Sequence, residues 1–282
     1  MNDRSRTAKQ KTKPRLWFRV IRATAFSYVL VVVLMVLFEN SLVYPAPGSD
    51  VGNWEPATPV EEVRFTSEDG TELVGWIIQH PNPKFHILYC HGNAENIALT
   101  LPLLLEIQSQ FQATIFAFDY RGYGKSSGKP FEAGLCQDGD AALQFFAEHQ
   151  NRTTEDVVVF GRSLGGGVAV FLASRHSVKA LVLHSTFDEM VGVAAGKFWW
   201  APVRLLMKNR FVSTEHAGKV NCSVIQFHGS GDRVIPIEHG KRLHEHFNVT
   251  QKRFLEFEGS GHNDPTPISF YREVRAFLDE LK

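Results

Sequence analysis

Short continuous apolar runs recur along most of the chain. Such runs end at residues 90, 118, 160, 184 and 228. Each predicts a strand that is buried on both faces, as the strands of a parallel sheet are. Two earlier segments, 63–66 and 73–78, alternate in polarity around a Ser-Glu-Asp-Gly turn and predict a hairpin. Residues 252–257 predict a last strand, which makes eight in all.

The stretches between these runs carry apolar residues at helical spacing. They predict helices over 97–111, 133–148, 164–175, 237–247 and 268–281. Pro102 lies inside the first of these helices and is expected to kink it or delay its start. A hairpin followed by repeated strand–helix alternation predicts an α/β fold: an eight-stranded, mostly parallel sheet with helices on both faces.

The alternation breaks between residues 188 and 218. This segment is dense in large apolar side chains, among them Phe198, Trp199 and Trp200. It is too short for a large lid, and its simplest interpretation is a small cap that packs on the sheet. The alternative is that the three aromatic side chains line an acyl or lipid entrance to a substrate pocket.

A different pattern opens the chain, where residues 23–38 form sixteen consecutive positions without a charge. A helix of that length spans roughly 24 Å, somewhat less than the hydrocarbon core of a bilayer. Apolar neighbours extend it on both sides, and Trp17 and Tyr44 suit the aromatic belts of a membrane. We therefore expect a transmembrane anchor over residues 23–44, a linker over 45–60 and a folded domain over 61–282.

A cleaved signal peptide is the main alternative for the apolar segment. Signal peptides have a short basic region and end in small residues at the cleavage site. Here the basic region is long, and Tyr44-Pro45-Ala46-Pro47 makes a poor cleavage site. An uncleaved anchor is therefore favoured. Since positive flanks stay in the cytoplasm, residues 1–22 are expected to form a basic cytoplasmic tail and the domain to lie outside the cytoplasm.

The charge distribution supports this division and bears on possible partners. The chain has 30 basic and 30 acidic side chains, but residues 1–22 hold eight basic and one acidic. The remaining residues therefore carry 22 basic and 29 acidic side chains, a net charge of −7. An acidic domain argues against nucleic acid as a partner. The 282 residues, 44% of them hydrophobic, suffice for one sizeable α/β domain.

Candidate chemistry begins at Gly161-Arg162-Ser163-Leu164-Gly165, which follows a predicted strand and opens a predicted helix. The pattern G-x-S-x-G in this context is typical of a nucleophile elbow. The serine must adopt a strained backbone conformation to project its hydroxyl above the sheet, and the flanking glycines let strand and helix approach. A glycine-rich turn with an incidental serine would match the same sequence pattern. A catalytic role for Ser163 therefore needs an acid and a base from elsewhere in the chain.

Two partners follow in the expected order. Asp232 and His262 each come just after a predicted strand, within glycine-flanked turns. In a parallel sheet the carboxyl ends of the strands meet at one edge, where an acid and a base could serve Ser163. The developing oxyanion needs two N–H donors: the backbone of the residue after the nucleophile, Leu164, and one from the loop after the third strand, where we select Asn93.

From about residue 60 to its end, the chain resembles the α/β-hydrolases of the serine-hydrolase type. More narrowly, it is similar to membrane-anchored α/β-hydrolase-domain proteins and their bacterial relatives, grouped with serine aminopeptidase-like or monoacylglycerol-lipase-like hydrolases. Five segments carry this resemblance: His91-Gly92-Asn93-Ala94, Asp119-Tyr120-Arg121-Gly122-Tyr123-Gly124, Gly161-Arg162-Ser163-Leu164-Gly165-Gly166, Gly231-Asp232-Arg233-Val234-Ile235-Pro236 and Gly261-His262-Asn263-Asp264.

The resemblance implies an activity as well as a fold. It makes Ser163 the nucleophile, Asp232 the acid and His262 the base, and it implies no cofactor and no metal. We expect a single-pass membrane serine hydrolase of carboxylic esters, acting on a small-molecule or lipid substrate such as a lysophospholipid, a monoacylglycerol or an acyl thioester. Two alternatives stay open: an aminopeptidase-like amide hydrolase that holds a free amine with Asp188-Glu189, and a non-catalytic binding module on the same fold.

Other polar residues at strand ends have simpler interpretations. Asp188 is a rival for the acid, because some proteins of this fold class place theirs after the strand that follows the elbow. His91 is expected to organise its loop, His184 to be structural and His228 to form part of the site wall. The turn over 119–122 is expected to be structural. The oligomeric state is not predicted.

Overall fold

The computed structural model describes residues 16–281 of the chain. This part divides into two compact units, residues up to Glu39 and residues from Asn40 onward. The basic tail predicted over residues 1–22 lies largely outside the described residues.

The first unit contains the helix α1, Leu16–Leu37, in which a stretch of 18 residues has a mean hydropathy of 2.3. Its 22 residues correspond to about 33 Å, enough to cross a bilayer core. None of its residues is buried within the part of the chain that the structure describes. Length and composition thus fit a membrane anchor, and they are shared by N-terminal signal sequences.

The second unit consists of strands and helices in alternation. The strands are β1 Glu61–Thr66, β2 Glu72–Ile78, β3 Phe85–Cys90, β4 Ala113–Asp119, β5 Val157–Arg162, β6 Ala180–His184, β7 Ser223–Gly229 and β8 Lys252–Phe257. The longer helices are α3 Ile97–Phe111, α4 Glu132–His149, α5 Leu164–Arg175, α9 Ile237–Glu245 and α10 Ile268–Asp279. The short helices are α2 Glu39–Val43, α6 Met190–Lys197, α7 Val203–Leu206 and α8 Thr214–Ala217.

The eight strands form one sheet in the order β1-β2-β4-β3-β5-β6-β7-β8. Only β2 runs against its neighbours β1 and β4, and all other pairings are parallel. The predicted eight-stranded, mostly parallel sheet is confirmed. Because β3, β5, β6, β7 and β8 run the same way, their carboxyl ends meet at one edge: Cys90 lies opposite Gly161, and Arg162 lies opposite His184.

Helices cover both faces of the sheet, as the alternation predicts. On one face the buried side chains of α4, α5 and α9 pack together, among them Leu143, Val168 and Leu243. On the other face α3 and α10 contribute side chains such as Leu104 and Phe277. The sheet is therefore buried on both sides, which explains why its central strands are continuously apolar.

Helix α3 departs from the sequence-based expectation at Pro102. The helix begins at Ile97, and Pro102 lies inside it, so the expected delay of its start is wrong. Asn96 determines the start, because its side chain accepts a hydrogen bond from the Leu99 N–H at 2.9 Å. A proline at the sixth position of the helix removes only one backbone hydrogen bond, whereas the capped first turn leaves its end well satisfied.

Residues 44–51 lie at the start of the second unit and are joined to distant parts of it by hydrogen bonds. The Tyr44 hydroxyl donates to the Oδ1 of Asn209 at 2.9 Å. The Gly124 N–H donates to the Pro47 carbonyl at 2.8 Å. The Asn96 amide donates to the carbonyl of Val51 at 3.0 Å. The segment predicted as a linker thus starts with a stretch that belongs to the folded surface.

Candidate active site

Ser163 occupies the sharp turn between β5 and α5. Its backbone has φ 51° and ψ −117°, a conformation that residues other than glycine rarely adopt. Residues at the end of β6 and just after it stabilise this conformation of Ser163 by hydrogen bonds. The Ser163 N–H donates to the His184 carbonyl at 2.9 Å, and the Thr186 hydroxyl donates to the Ser163 carbonyl at 2.8 Å. The strained turn that the sequence predicts is present.

The glycines on either side of Ser163 are required by close backbone approach. A Cβ on Gly161 would lie 2.5 Å from the Gly165 carbonyl oxygen, and a Cβ on Gly165 would clash with the carbonyl oxygen of Cys90. Strand β5 and helix α5 therefore come closer than any residue with a side chain would allow. This packing fixes the direction of the Ser163 side chain.

His262 lies between Ser163 and Asp232 in hydrogen-bonding distance of both. Its Nε2 is 3.0 Å from the Ser163 Oγ, and its Nδ1 is 2.6 Å from the Asp232 Oδ2. Each of the three residues follows a strand, β5, β7 or β8, at the carboxyl edge of the sheet. The structure thus brings together the three residues that the sequence selects.

The surroundings of Asp232 determine its charge. Burial raises its pKa, but hydrogen bonds from His228 and His262 and from the Ile235 N–H outweigh burial and hold the pKa of Asp232 below its ordinary value. Its Oδ1 accepts the N–H groups of Val234 and Ile235, both at 2.8 Å. An ionised carboxylate can only accept, so His262 must donate from Nδ1. In the neutral imidazole, Nε2 then carries the lone pair and faces the Ser163 hydroxyl.

The loop after β3 lies directly against the nucleophile. A Cβ built on Gly92 would be 3.5 Å from the Ser163 Cβ. The Asn93 side chain fixes this loop, since its Nδ2 donates to the Val43 carbonyl at 2.5 Å and its Oδ1 accepts from the Tyr123 hydroxyl at 2.7 Å. Leu164 is the first residue of α5, where a backbone N–H has no partner within the helix. Leu164 is thus the chain neighbour of Ser163, and Asn93 follows the residue that lies against Ser163 in space.

Asp188, the rival acid, has other partners. Its Oδ1 lies 2.5 Å from the His239 Nδ1, and its Oδ2 accepts from the Arg242 Nε at 2.6 Å. Burial raises its pKa, but these two partners more than offset that effect and hold the pKa of Asp188 at about 2. The structure therefore pairs His262 with Asp232 and commits Asp188 to a separate cluster.

The other strand-end histidines contact the protein interior. His91 is buried, its Nδ1 lies 2.7 Å from the Gly92 carbonyl, and burial lowers its pKa to about 4. The His184 ring packs on Phe227 with ring centres 3.9 Å apart, and burial holds its pKa well below the ordinary value. His228 does more than form a wall: its Nε2 lies 2.8 Å from the Ile235 carbonyl and 3.3 Å from the Asp232 Oδ2.

The aromatic residues of the predicted cap are largely accessible. Trp199 is 83% exposed, and Phe198 and Trp200 are each about 40% exposed, with their rings 6.5 Å apart in an edge-to-face arrangement. They occupy the turn between α6 and α7. The role in a substrate pocket that the sequence suggests for them stays a prediction.

One pair of residues at the site was not predicted from the sequence. Arg162 and Glu95 form an ion pair next to the nucleophile, and each also contacts another loop of the site. Arg162 occupies the variable second position of the elbow pattern, and no sequence signal links it to Glu95.

Across residues 16–281, no group of three or more His, Cys, Asp or Glu side chains is arranged to hold a metal ion. The expectation that the reaction needs no metal or cofactor stays a prediction.

The order of the strands and the helices on both faces of the sheet agree with the fold of an α/β-hydrolase. A family model described as alpha/beta hydrolase fold matches residues 86–220. The chain is 31% identical over 248 residues to the α/β-hydrolase domain-containing protein aho-3 of Caenorhabditis elegans, covering 87% of this chain and 71% of that protein. The chain therefore belongs to the α/β-hydrolase family, and this membership supports a hydrolase.

The chain is also similar to a bacterial relative in sequence and to two esterases in fold. An uncharacterised protein of Mycobacterium tuberculosis is 30% identical over 247 residues, 86% of each chain. The esterase Pf2001 of Pyrococcus furiosus superposes with a TM-score of 0.70 at 20% identity, covering 84% of this chain and 99% of that chain. An acetyl xylan esterase from Paenibacillus sp. R4 has a TM-score of 0.64 at 18% identity, covering 82% of this chain and 87% of that chain.

Proposed function

We propose that the protein is a serine hydrolase that cleaves carboxylic esters through an acyl-enzyme intermediate. The observation that carries the proposal is the chain of contacts from Ser163 Oγ to His262 Nε2 and from His262 Nδ1 to Asp232 Oδ2, at 3.0 and 2.6 Å. A serine hydroxyl is a weak nucleophile on its own and needs a base within this distance. Asp232 is suited to hold that base in the correct tautomer.

The proposed reaction has two halves. The Ser163 Oγ attacks the ester carbonyl carbon while His262 Nε2 takes the hydroxyl proton. The tetrahedral oxyanion is stabilised by the backbone N–H groups of Leu164 and Asn93. When the bond to the alcohol oxygen breaks, His262 returns its proton to the leaving alcohol and Ser163 stays acylated. Water, deprotonated by His262, then attacks the acyl-enzyme, and as the bond from the acyl group to Ser163 breaks His262 returns the proton to the Ser163 Oγ and the acid is released.

The cap supports lipid or acyl-thioester substrates over small polar esters. Trp199 and Leu205 are exposed by 83% and 81%, and residues 190–214 include no acidic side chain. An exposed apolar surface without acidic side chains suits contact with an acyl chain or an anionic lipid surface. Two of the solved structures with this fold are named as esterases, which agrees with ester cleavage.

The test uses the full-length chain in detergent micelles. A fluorophosphonate probe is expected to label the protein at Ser163, and a panel of lysophospholipids, monoacylglycerols, acyl thioesters, short p-nitrophenyl esters and aminoacyl amides is expected to show ester or thioester cleavage. If the folded protein neither reacts with the probe nor cleaves any ester, the proposal is wrong and the non-catalytic binding module is favoured.

Contacts of the two acidic residues weigh against an aminopeptidase-like activity. Asp188 is bound by His239 and Arg242, and the Glu189 carboxylate accepts from Arg204 at 2.6 Å. Carboxylates already paired with cations are poor partners for a substrate amine. Preferential cleavage of aminoacyl amides in the panel would nevertheless reverse this choice.

Replacing Trp199 with serine tests the role of the cap. The change removes a large exposed apolar surface and should leave the core intact, because Trp199 is mostly accessible. We expect kcat/KM for a long-chain monoacylglycerol to fall about fivefold to tenfold, which corresponds to roughly 1 kcal/mol of lost apolar contact. Hydrolysis of p-nitrophenyl acetate by the same variant is the control and should stay within twofold. An equal loss on both substrates would contradict a role in acyl recognition.

We also propose that α1 is an uncleaved anchor with the basic tail in the cytoplasm and the catalytic domain outside it. The length and hydropathy of α1 and the eight basic residues before residue 23 support this orientation. A topology reporter fused after residue 282 is expected to read as extracytoplasmic, and the full-length mass should be retained in the membrane fraction. A cytoplasmic reading would reverse the topology, and a shorter mature chain would indicate a signal peptide.

A further inference from the structure

Glu95 contacts both the elbow and the loop between β3 and α3, residues 91–96, which we call the oxyanion loop. Its Oε2 accepts the Gly92 N–H at 2.8 Å, and its Oε1 forms an ion pair with the Arg162 Nη1. Gly92 is the residue that lies against Ser163, one position before the proposed oxyanion donor Asn93. The carboxylate of Glu95 thus holds the position of this loop relative to the guanidinium of Arg162.

Arg162 continues the connection to the loop of the base. Its Nη2 donates to the His262 carbonyl at 3.3 Å and to the Asn263 Oδ1 at 3.3 Å. Its own backbone precedes Ser163 on β5, so one side chain reaches from the nucleophile to both other loops. The side chains of Arg162 and Glu95 are only 13% and 20% exposed, and so the pair is shielded from most of the solvent.

We propose that Arg162 and Glu95 are positioning residues, which together hold the oxyanion loop and the His262 loop in register with Ser163. The inference rests on the proposed serine-hydrolase function. Neither side chain takes part in the chemistry itself. Their effect is on the distance and direction between the nucleophile, its base and the oxyanion donors.

The geometry requires a guanidinium rather than any positive charge. Nη1 and Nη2 point to two separate acceptors, Glu95 and His262, and a planar fork can satisfy both at once. A lysine ammonium is a single point on a flexible stem and cannot span both loops. The partial burial of the pair also limits screening by solvent and salt, so that the ion pair is more than a loose surface contact.

The test compares Arg162→Met, Arg162→Lys and Glu95→Gln with the wild-type chain in micelles, using a short p-nitrophenyl ester. A misplacement of about 1 Å can cost on the order of 100-fold in rate, so we expect kcat to fall about 10-fold to 100-fold in Arg162→Met with KM within twofold. Arg162→Lys should retain the charge but not the rate. Glu95→Gln can still accept the Gly92 N–H, and its loss should be smaller.

Chemical rescue separates positioning from general damage to the fold. Methylguanidinium is expected to restore the activity of Arg162→Ala at least fivefold, because it can occupy the vacated site. The matched control is Arg253→Ala. Arg253 lies on β8, and its guanidinium is 3.6 Å from the Glu273 carboxylate and 3.5 Å from that of Glu280. Arg253→Ala should keep wild-type kcat and show no response to methylguanidinium.

The outcomes distinguish this inference from the proposed function. If the wild-type chain labels with fluorophosphonate and the folded Arg162 variants label at the same rate and turn over within twofold, the positioning role is wrong and the serine mechanism stands. If Arg162→Lys matches the wild type, charge alone suffices and the geometric argument fails. A wild-type chain that does not label would instead overturn the proposed function itself.

Discussion

Replacing Ser163 with alanine is expected to lower kcat/KM for a short p-nitrophenyl ester by about 10⁴-fold to 10⁶-fold. The change removes the only atom that could form the acyl-enzyme in the proposed mechanism. The residual rate would come from substrate binding and from the oxyanion donors alone. Labelling by a fluorophosphonate should disappear in the same variant.

The fold should tolerate this substitution. Alanine at φ 51° is no more strained than serine, and the backbone bonds that hold the turn, to the His184 carbonyl and from Thr186, do not involve the Ser163 hydroxyl. We therefore expect a melting temperature close to that of the wild type. A large loss of activity could then not be attributed to unfolding.

Ser185→Ala provides the matched control. Ser185 is also a buried serine with a positive φ, 47°, just after a strand. It follows β6 and is not one of the three proposed catalytic residues. Its replacement should leave activity within about threefold of the wild type. A Ser163→Ala variant that keeps more than about one per cent of the activity would remove Ser163 from the mechanism.

The sheet could be predicted from the sequence because its signals are local. A continuous apolar run that ends in a glycine or a polar residue marks a buried strand. Strands β3 and β6 end at the predicted residues, and β8 has the predicted bounds. The start of α3 was harder to predict, because two local signals compete there. The Asn96 cap places the start at Ile97, although Pro102 inside the helix favours a later one. The start of a helix depends on its cap more than on a proline one turn further in.

The choice of Ser163, Asp232 and His262 could also be made from the sequence. Their order along the chain and the strand before each of them are properties of the sequence. The supporting contacts could not be predicted from it. The bond from Asn93 to the Val43 carbonyl joins residues fifty positions apart. The pair Glu95–Arg162 joins the loop after β3 to the last residue of β5, and only the sheet order makes these two strands neighbours. The contact of His228 with Asp232 has a short sequence separation, but its direction depends on how the loop after β7 folds back.

Asparagine in place of Asp232 is expected to cost about 10⁴-fold in kcat. The carboxylate is held ionised, because hydrogen bonds from His228, His262 and the Ile235 N–H outweigh the effect of burial and lower its pKa. An ionised acid accepts the Nδ1 proton of His262 and leaves Nε2 free to take the proton of Ser163. An asparagine amide can donate to Nδ1 instead, which places the proton on Nε2 and removes the base.

Asp188→Asn is the companion variant, since Asp188 is the other acid that the sequence offers. It should keep kcat within about threefold, because its partners are His239 and Arg242 rather than His262. Its effect should appear in stability. The pKa of Asp188 falls from 3.8 to about 2 on folding, so its contribution is present above pH 4 and is lost as the pH falls toward 2.

The two variants therefore give opposite patterns in two measurements. Asp232→Asn should be nearly inactive at all pH values, whereas Asp188→Asn should be active but melt at a lower temperature near neutral pH. The difference in melting temperature between Asp188→Asn and the wild type should shrink as the pH is lowered from 4 to 2. If Asp188→Asn were the inactive variant, the acid would be Asp188, and the contact between Asp232 and His262 could not be the one that orients the base.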